Sequence, residues 1–196
     1  MIFKSRSQAF QDTFAALTAK NKSYIEIGAY KPSHKNNTYN LETQLDWQGF
    51  SIEINQKWKP EWEKCVERKN KIYWQSALDF DYYTATKSLN LPNRIGYLSC
   101  DIEPPLNTFA ALKKVIEQGI VFDCITYEHD NYARKNKEEL DYDVLVREYL
   151  KSKGYKVAIT DVYCKYPKFM FETWFVYDDI KFDSITFDQW KKNNLL

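Results

Sequence analysis

The sequence predicts an α/β protein built on a doubly wound, mostly parallel seven-stranded sheet that closes with a C-terminal antiparallel hairpin. Three observations carry this. Five short apolar runs alternate with stretches of helical periodicity, the pattern of a parallel sheet. Two further strand-like runs, 155–163 and 169–177, then follow with no room for a helix between them, so one strand must run against the rest. The parallel runs end in acids or a glycine, at the edge where such a sheet takes its ligand.

Composition fits one domain over residues 1–196, with a helical segment at 1–22 and a polar tail at 178–196 that carries Ile185, Phe187 and Trp190 and packs along a sheet edge. A hydrophobic fraction of 44% with 17% aromatics excludes a disordered chain. Lys+Arg 28 against Asp+Glu 27 argues against a protein held to nucleic acid by phosphate contacts. Cys65, Cys100, Cys124 and Cys164 show no C-x-x-C spacing, and Cys100 and Cys124 fall in strands, so buried thiols in a reducing compartment are expected. The N-terminus lacks a signal-peptide core, and no apolar run nears the ~20 residues of a membrane helix, so a cytoplasmic protein is expected.

The elements follow in order. Ser5 or Ser7 caps a helix with Phe10, Phe14 and Leu17 on one face. The first strand is Ser23 to Ile27, in the run Y-I-E-I-G-A-Y. Its β-branched and aromatic residues favour a strand, and Gly28 permits a sharp turn. Thr38 caps a helix to about Trp47, with Leu41 and Leu45 inward; Gly49 to Ile54 is the second strand. Pro60 opens a helix containing Trp62, Cys65 and Val66, and Lys71 to Gln75 is the third strand. After a weakly helical stretch, Tyr82 to Leu89, come a fourth strand at Ile95 to Cys100 and a helix from Asn107 to Gln118. Val121 to Tyr127 is the fifth strand. A helix from Glu138 to Lys153, with Leu140, Val144, Leu145 and Tyr149 inward, stops at Gly154 before the hairpin.

The acids at the strand tips are the chemical signal. Glu26, Glu53, Asp79, Asp101 and the run Glu128-His129-Asp130 converge on one side of a parallel sheet. Glu26 stands inside an apolar strand and must be hydrogen-bonded there. Glu53 follows Gly28 by 25 residues, near the spacing at which an acid accepts a ribose hydroxyl pair. The loop G-A-Y-K-P-S has neither the G-x-G-x-x-G nor the G-K-[ST] pattern that seats phosphates. A rim of carboxylates suits a cofactor carrying positive charge, such as a sulfonium.

The runs S-Q-A-F-Q-D (7–12), Y-I-E-I-G-A (24–29), N-N-T-Y (36–39), W-Q-G-F-S-I-E (47–53), Y-L-S-C-D-I-E-P-P (97–105) and F-D-C-I-T-Y-E-H-D (122–130) together resemble the FkbM-type S-adenosylmethionine-dependent methyltransferases. The resemblance covers most of residues 7 to 163. It implies a Rossmann-like class I methyltransferase fold, S-adenosyl-L-methionine as cofactor, and O-methylation of a sugar or small metabolite. It further implies that Glu26, Gly28 and Ala29 face the cofactor's methionine part and that Glu53 holds the ribose. Ala77, Leu78 and Asp79 would flank the adenine, Asp101 the methyl-transfer region, and Gln11 and Asp12 would close over the cofactor. Tyr30 stands where many class I enzymes carry a second glycine, which leaves the path of that loop open.

Transfer of a methyl to a hydroxyl needs a proton acceptor. His129 at a strand tip is the first candidate, with Asp101, Glu103 and Asp130 as alternatives; a histidine simply held by its neighbours is an equal reading. His34 reads as a polar loop residue. Asp101, Glu103, Glu128 and Asp130 offer oxygen ligands to Mg²⁺, although no metal is expected. Glu103-Pro104-Pro105 resembles the acid-Pro-Pro-aromatic motif of amino methyltransferases acting on nucleic-acid bases, but Leu106 replaces the stacking aromatic. Tyr132, Arg134, Lys135 and Lys137 form a basic loop that is either solvated or part of an acceptor pocket. The competing readings are thus base methylation and a non-catalytic binding module of the same fold; oligomeric state is not legible.

Overall fold

The computed structural model describes residues 3–134, 140–163 and 169–194. One seven-stranded sheet holds β1 (Ser23–Ile27), β2 (Gln48–Ile52), β3 (Lys71–Tyr73), β4 (Arg94–Cys100), β5 (Val121–Glu128), β6 (Tyr155–Tyr163) and β7 (Met170–Tyr177) in the order β3-β2-β1-β4-β5-β7-β6. β1 to β5 pair in parallel, and β7 runs antiparallel between β5 and β6, as the missing helix between the last two runs required. The order reverses at β1 and β4, whose diverging connections open a crevice at their C-terminal ends.

Helices cover both faces because alternate strand residues point to opposite sides. Ile25, Ile27, Leu98, Ile125 and Phe175 pack on one face with α4 (Tyr82–Ser88), α5 (Pro105–Glu117) and α6 (Tyr142–Ser152). Tyr24, Tyr97, Cys124 and Trp174 pack on the other with α1 (Gln11–Thr18), α2 (Tyr39–Leu45) and α7 (Ser184–Asn194). A short α3 (Lys59–Lys64) follows a 3-10 turn at Gln56–Trp58. No helix among the described residues is long and apolar enough to cross a membrane.

Several sequence expectations need correction. Neither Ser5 nor Ser7 stands at the start of α1: both hydroxyls donate to the Asp12 carboxylate, at 2.6 and 2.7 Å, and hold 5–10 as a wrapped segment, while Ser7 Oγ also accepts from the first-turn Asp12 N–H at 3.3 Å. The helix therefore starts at Gln11, Phe14 is buried, and Leu17 is exposed. Val66 lies beyond α3 and is 77% exposed, because the helix stops at Lys64. Asp141 accepts from the backbone N–H groups of Asp143 and Val144, so α6 begins at Tyr142 and buries Val146 and Leu150, leaving Leu140 and Val144 outside. The tail forms α7 on the α1 face, where Phe187 meets Phe14 and Trp174 edge-on, and not along a sheet edge. Glu138, Lys135, Lys137, Cys164 and the Tyr166-Pro167 turn lie outside the described residues.

Candidate active site at the β1–β4 crevice

β1 delivers the chain to Gly28 with φ +85°, a left-handed turn that glycine adopts without a side-chain clash. A Cβ there would overlap the carbonyl oxygen of Asp101, so the tips of β1 and β4 approach backbone to backbone. The Gly28 and Ala29 N–H groups donate to the Ile52 carbonyl, and Asp101 N–H donates to the Ile27 carbonyl, which continues the ladder past the strand ends. Beside this junction lies an open cleft of about 520 Å³ lined by Glu26, Gly28, Ala29, Glu53, Asp101 and Glu103. Six of the sequence-predicted site residues thus meet in one place.

Tyr30 also takes a left-handed backbone, φ 49°, at the position where a second glycine is common. Its N–H donates to Glu53 Oε2 at 2.8 Å, its carbonyl accepts from Trp62 Nε1 at 2.8 Å, and its ring meets Trp58 edge-on. These contacts offset the cost of the left-handed conformation, on the order of 1 kcal/mol. Glu53 Oε1 accepts from Asn55 N–H at 2.7 Å. Each Glu53 oxygen is thereby oriented by one backbone donor and keeps lone pairs for further hydroxyl donors.

Under the loop sits Arg68, buried with Glu26 and Glu42. Its Nε pairs with Glu42 Oε2 at 2.7 Å, and its Nη atoms donate to the Pro32 carbonyl, Asn36 Oδ1, Thr38 Oγ1 and Ser51 Oγ. Glu26 Oε2 accepts from Thr38 and Ser51 hydroxyls at 3.0 and 2.7 Å, satisfying the acid that looked out of place in an apolar strand. Burial pushes its carboxyl above the ordinary range, against the opposing pull of Arg68. Asn36 Oδ1 accepts from Thr38 and Tyr39 N–H groups and opens α2 in place of the predicted Thr38 cap, whose hydroxyl is engaged by Glu26.

Asp101 faces the cleft from the tip of β4. Burial, together with Asp130, Glu103 and Glu53, pushes its carboxyl up to about 6, although a hydrogen bond with Glu128 holds it lower than burial alone would. The cleft is not lined by acids alone. Lys35, Lys57 and the loop residue His34 stand on its rim, and Lys57 lies 4.5 Å over the Trp58 ring.

Other predicted residues sit elsewhere. Asp12 accepts from Arg6 N–H and Asn40 Nδ2 besides the two serines, which makes it the clasp of the N-terminal segment and not a lid. Gln11 Nε2 donates to Glu172 Oε1 at 2.9 Å, one layer behind the cleft. Ala77 is buried in the core, with Leu78 packed against it, because the chain dips inward after β3. Asp79 is exposed in a turn closed by its N–H on Ser76. His129 is buried outside the cleft lining: its N–H donates to the Phe171 carbonyl, and Nδ1 accepts from Asn131 N–H at 3.3 Å. Burial lowers its basicity against the opposing pull of Asp143, Asp130 and Asp141; of its charged neighbours, Asp143, Asp141 and Arg147 belong to the α6 side and Asp130 follows it in the chain. Arg134 pairs with Asp141 at 2.8 Å, at the start of α6. Among the described residues no group of His, Cys, Asp and Glu is arranged to hold a metal ion.

Two site residues escaped sequence reading. Glu172 carried the signal that had singled out Glu26, an acid inside an apolar strand (M-F-E-T-W-F-V), and was findable by it. Arg68 sits in the polar stretch E-R-K-N, where nothing separates it from solvated charge.

No family model and no curated protein matches this chain. Solved structures do. An rRNA methylase from Streptococcus thermophilus superposes with a TM-score of 0.55 over 89% of this chain and 98% of its own, at 10% identity. SMU.1697c from Streptococcus mutans, solved in complex with SAH, gives 0.54 over 90% and 99%, at 14% identity. The plantazolicin methyltransferase BamL, in complex with a triazolic desmethylPZN analog and SAH, gives 0.56 over 89% and 85%, at 10% identity. At such identities the likeness is one of fold, and the chain has the Rossmann-like class I methyltransferase fold.

Proposed function

We propose that this chain is an S-adenosylmethionine-dependent methyltransferase of the FkbM type, acting on a hydroxyl of a sugar or small metabolite. One observation carries the reading: a glycine turn bare of any side chain and two carboxylates, Glu53 and Asp101, face a single cleft at the switch point of the sheet. The residues fit the cofactor. Gly28 lets the β1 and β4 tips close against each other as the floor of the cleft, Glu53 presents two oriented oxygens to a ribose diol, and the acidic wall favours a sulfonium. The bound cofactor supplies a methyl group already activated for displacement.

The chain's own part is to position and to take up a proton. Glu53 and the Gly28–Tyr30 turn would fix the nucleoside and methionine ends, and much of the rate comes from such alignment. Asp101, raised to about 6 and therefore mostly ionised at neutral pH, accepts the proton of the attacking hydroxyl. The rim residues Lys35, Lys57 and Trp58 suit a polar acceptor with an apolar ring face. The buried thiols Cys100 and Cys124 fit a cytoplasmic setting.

Incubation with methyl-labelled S-adenosylmethionine and a panel of sugars, nucleotide sugars, small metabolites and oligonucleotides tests the reading. Label in an O-methyl group of a sugar or metabolite is the expected result. Label in a nucleic-acid base would replace the acceptor class, and failure to bind S-adenosylmethionine at all would overturn the reading.

A further inference from the structure

Asp101 heads a row of three carboxyl groups, and the two behind it, Glu128 and Glu172, lie outside the cleft lining. Cys100 of β4 pairs with Tyr127 of β5, so Asp101 and Glu128 stand side by side one step beyond. Glu128 in turn pairs directly with Glu172 of β7. By strand alternation all three point to the α1 face, on the side of Tyr97, Thr126 and Trp174. The far end of the row is anchored: Glu172 is buried, and its two oxygens accept from Gln11 Nε2 at 2.9 Å and Trp174 Nε1 at 2.5 Å. The near end, Asp101, lines the cleft.

Three neighbouring carboxylates, one fully buried and two half-buried, resist being ionised together, because like charges side by side each favour protonation of the others. We propose that Glu128 is a positioning residue that keeps its proton and directs its O–H in a hydrogen bond to the Asp101 carboxylate, so that the single negative charge of the row rests on the member facing the cleft. Burial and the Asp101, Glu172 and Asp130 charges push the Glu128 carboxyl far above the ordinary range, and burial first of all raises Glu172 to about 8. Glu103 and Glu53 also bear on Asp101 across the cleft, and Tyr132 stands beside Asp130 and Glu128. Use of this charge in methyl transfer rests on the function proposed above; the location of the proton does not.

In the transfer step the acceptor oxygen forms its bond to the methyl carbon, the carbon–sulfur bond breaks with its electron pair going to sulfur, and the hydroxyl proton goes to Asp101. A neutral Glu128 serves that step in two ways. Its O–H orients the Asp101 carboxylate, and its lack of charge spares Asp101 a further repulsion that would leave it protonated and unable to act.

The test is a carboxyl-¹³C NMR titration of the full chain, labelled at Asp and Glu side chains, with signals assigned through Glu128→Gln and Asp101→Asn. Glu128 should keep the chemical shift of a protonated acid from pH 5 to 8, while Asp101 titrates near pH 6. Glu128→Gln, which replaces the O–H donor by an N–H donor of similar shape, should leave the Asp101 midpoint within a few tenths of a unit. Glu128→Ala, which removes the donor, should raise it by on the order of one unit. An ionised Glu128 at pH 7, or an Asp101 midpoint that falls by a unit or more in Glu128→Gln, would overturn the proposal. The titration reads the same whether or not S-adenosylmethionine binds, so failure of the functional reading would appear separately, in the labelling experiment.

Discussion

Gly28 and Asp101 meet backbone to backbone at the β1–β4 crevice, with no space between them for a methyl group. The close approach sets the floor of the cleft and explains why the residue after Ile27 must lack a side chain. Gly28→Ala would combine a left-handed alanine with overlap against a carbonyl. A loss of about 2–4 kcal/mol in urea unfolding is expected. Stability within about 0.5 kcal/mol of the parent protein would show that the two strands separate freely.

Arg68 is a second fixed point, since it joins Glu26, Glu42 and the loop from Pro32 to Thr38. Arg68→Ala leaves two buried acids without their cation. Such removals cost about 3–5 kcal/mol, and the unfolding midpoint should fall accordingly. An unchanged midpoint would mean that water replaces the guanidinium without penalty.

The carboxyl row makes stability depend on pH. Glu172 is raised in the folded chain to about 8, well above the value of a free glutamate near 4.3. The folded state therefore binds the proton more tightly than the unfolded state. Its contribution is full below about pH 4 and is lost as pH rises through about 8. Asp101 and Glu128, also raised, act with the same sign. Urea midpoints should be lower at pH 8.5 than at pH 6, and Glu172→Gln should flatten that slope; equal slopes in the two proteins would contradict the account.

The proposed function makes Asp101 the base, where the sequence expectation put His129 first and Asp101 among the alternatives. With an acceptor in hand, Asp101→Asn should lower kcat by about 10²–10⁴-fold, the usual worth of a general base. His129→Ala, made outside the cleft lining, should stay within about tenfold of the parent in the folded fraction. A larger loss for His129→Ala than for Asp101→Asn would return the histidine to first place.

How much could be read from residues alone differs by level. β1 and β6 were bounded to the residue, because hydrophobic runs punctuated by Gly28 and Gly154 are local signals. The helix faces were less legible. Leu140 and Val144 are apolar yet outside, since the phase of α6 is fixed by the Asp141 cap and by the link from Asp143 to Arg147 and Thr173, at 2.8 and 2.6 Å. Acids at the tips of β1, β2 and β4 converged because a parallel sheet forces them to. His129 did not join them, since one residue along a strand turns a side chain to the opposite face. Glu172 completes its row only through the antiparallel register of β7 on β5, which pairs residues 44 positions apart and leaves no local trace.

A nucleoside-binding cleft with Glu53 as its ribose ligand must take up S-adenosylhomocysteine, and calorimetry reads that binding. S-adenosylhomocysteine titrated into the full chain should give saturable one-to-one binding. Glu53→Ala should weaken that binding by about 10–100-fold, the worth of one or two hydrogen bonds to a charged group, while thermal unfolding stays cooperative. Absence of heat with both S-adenosylhomocysteine and S-adenosylmethionine, or unchanged affinity in the folded variant, would contradict it.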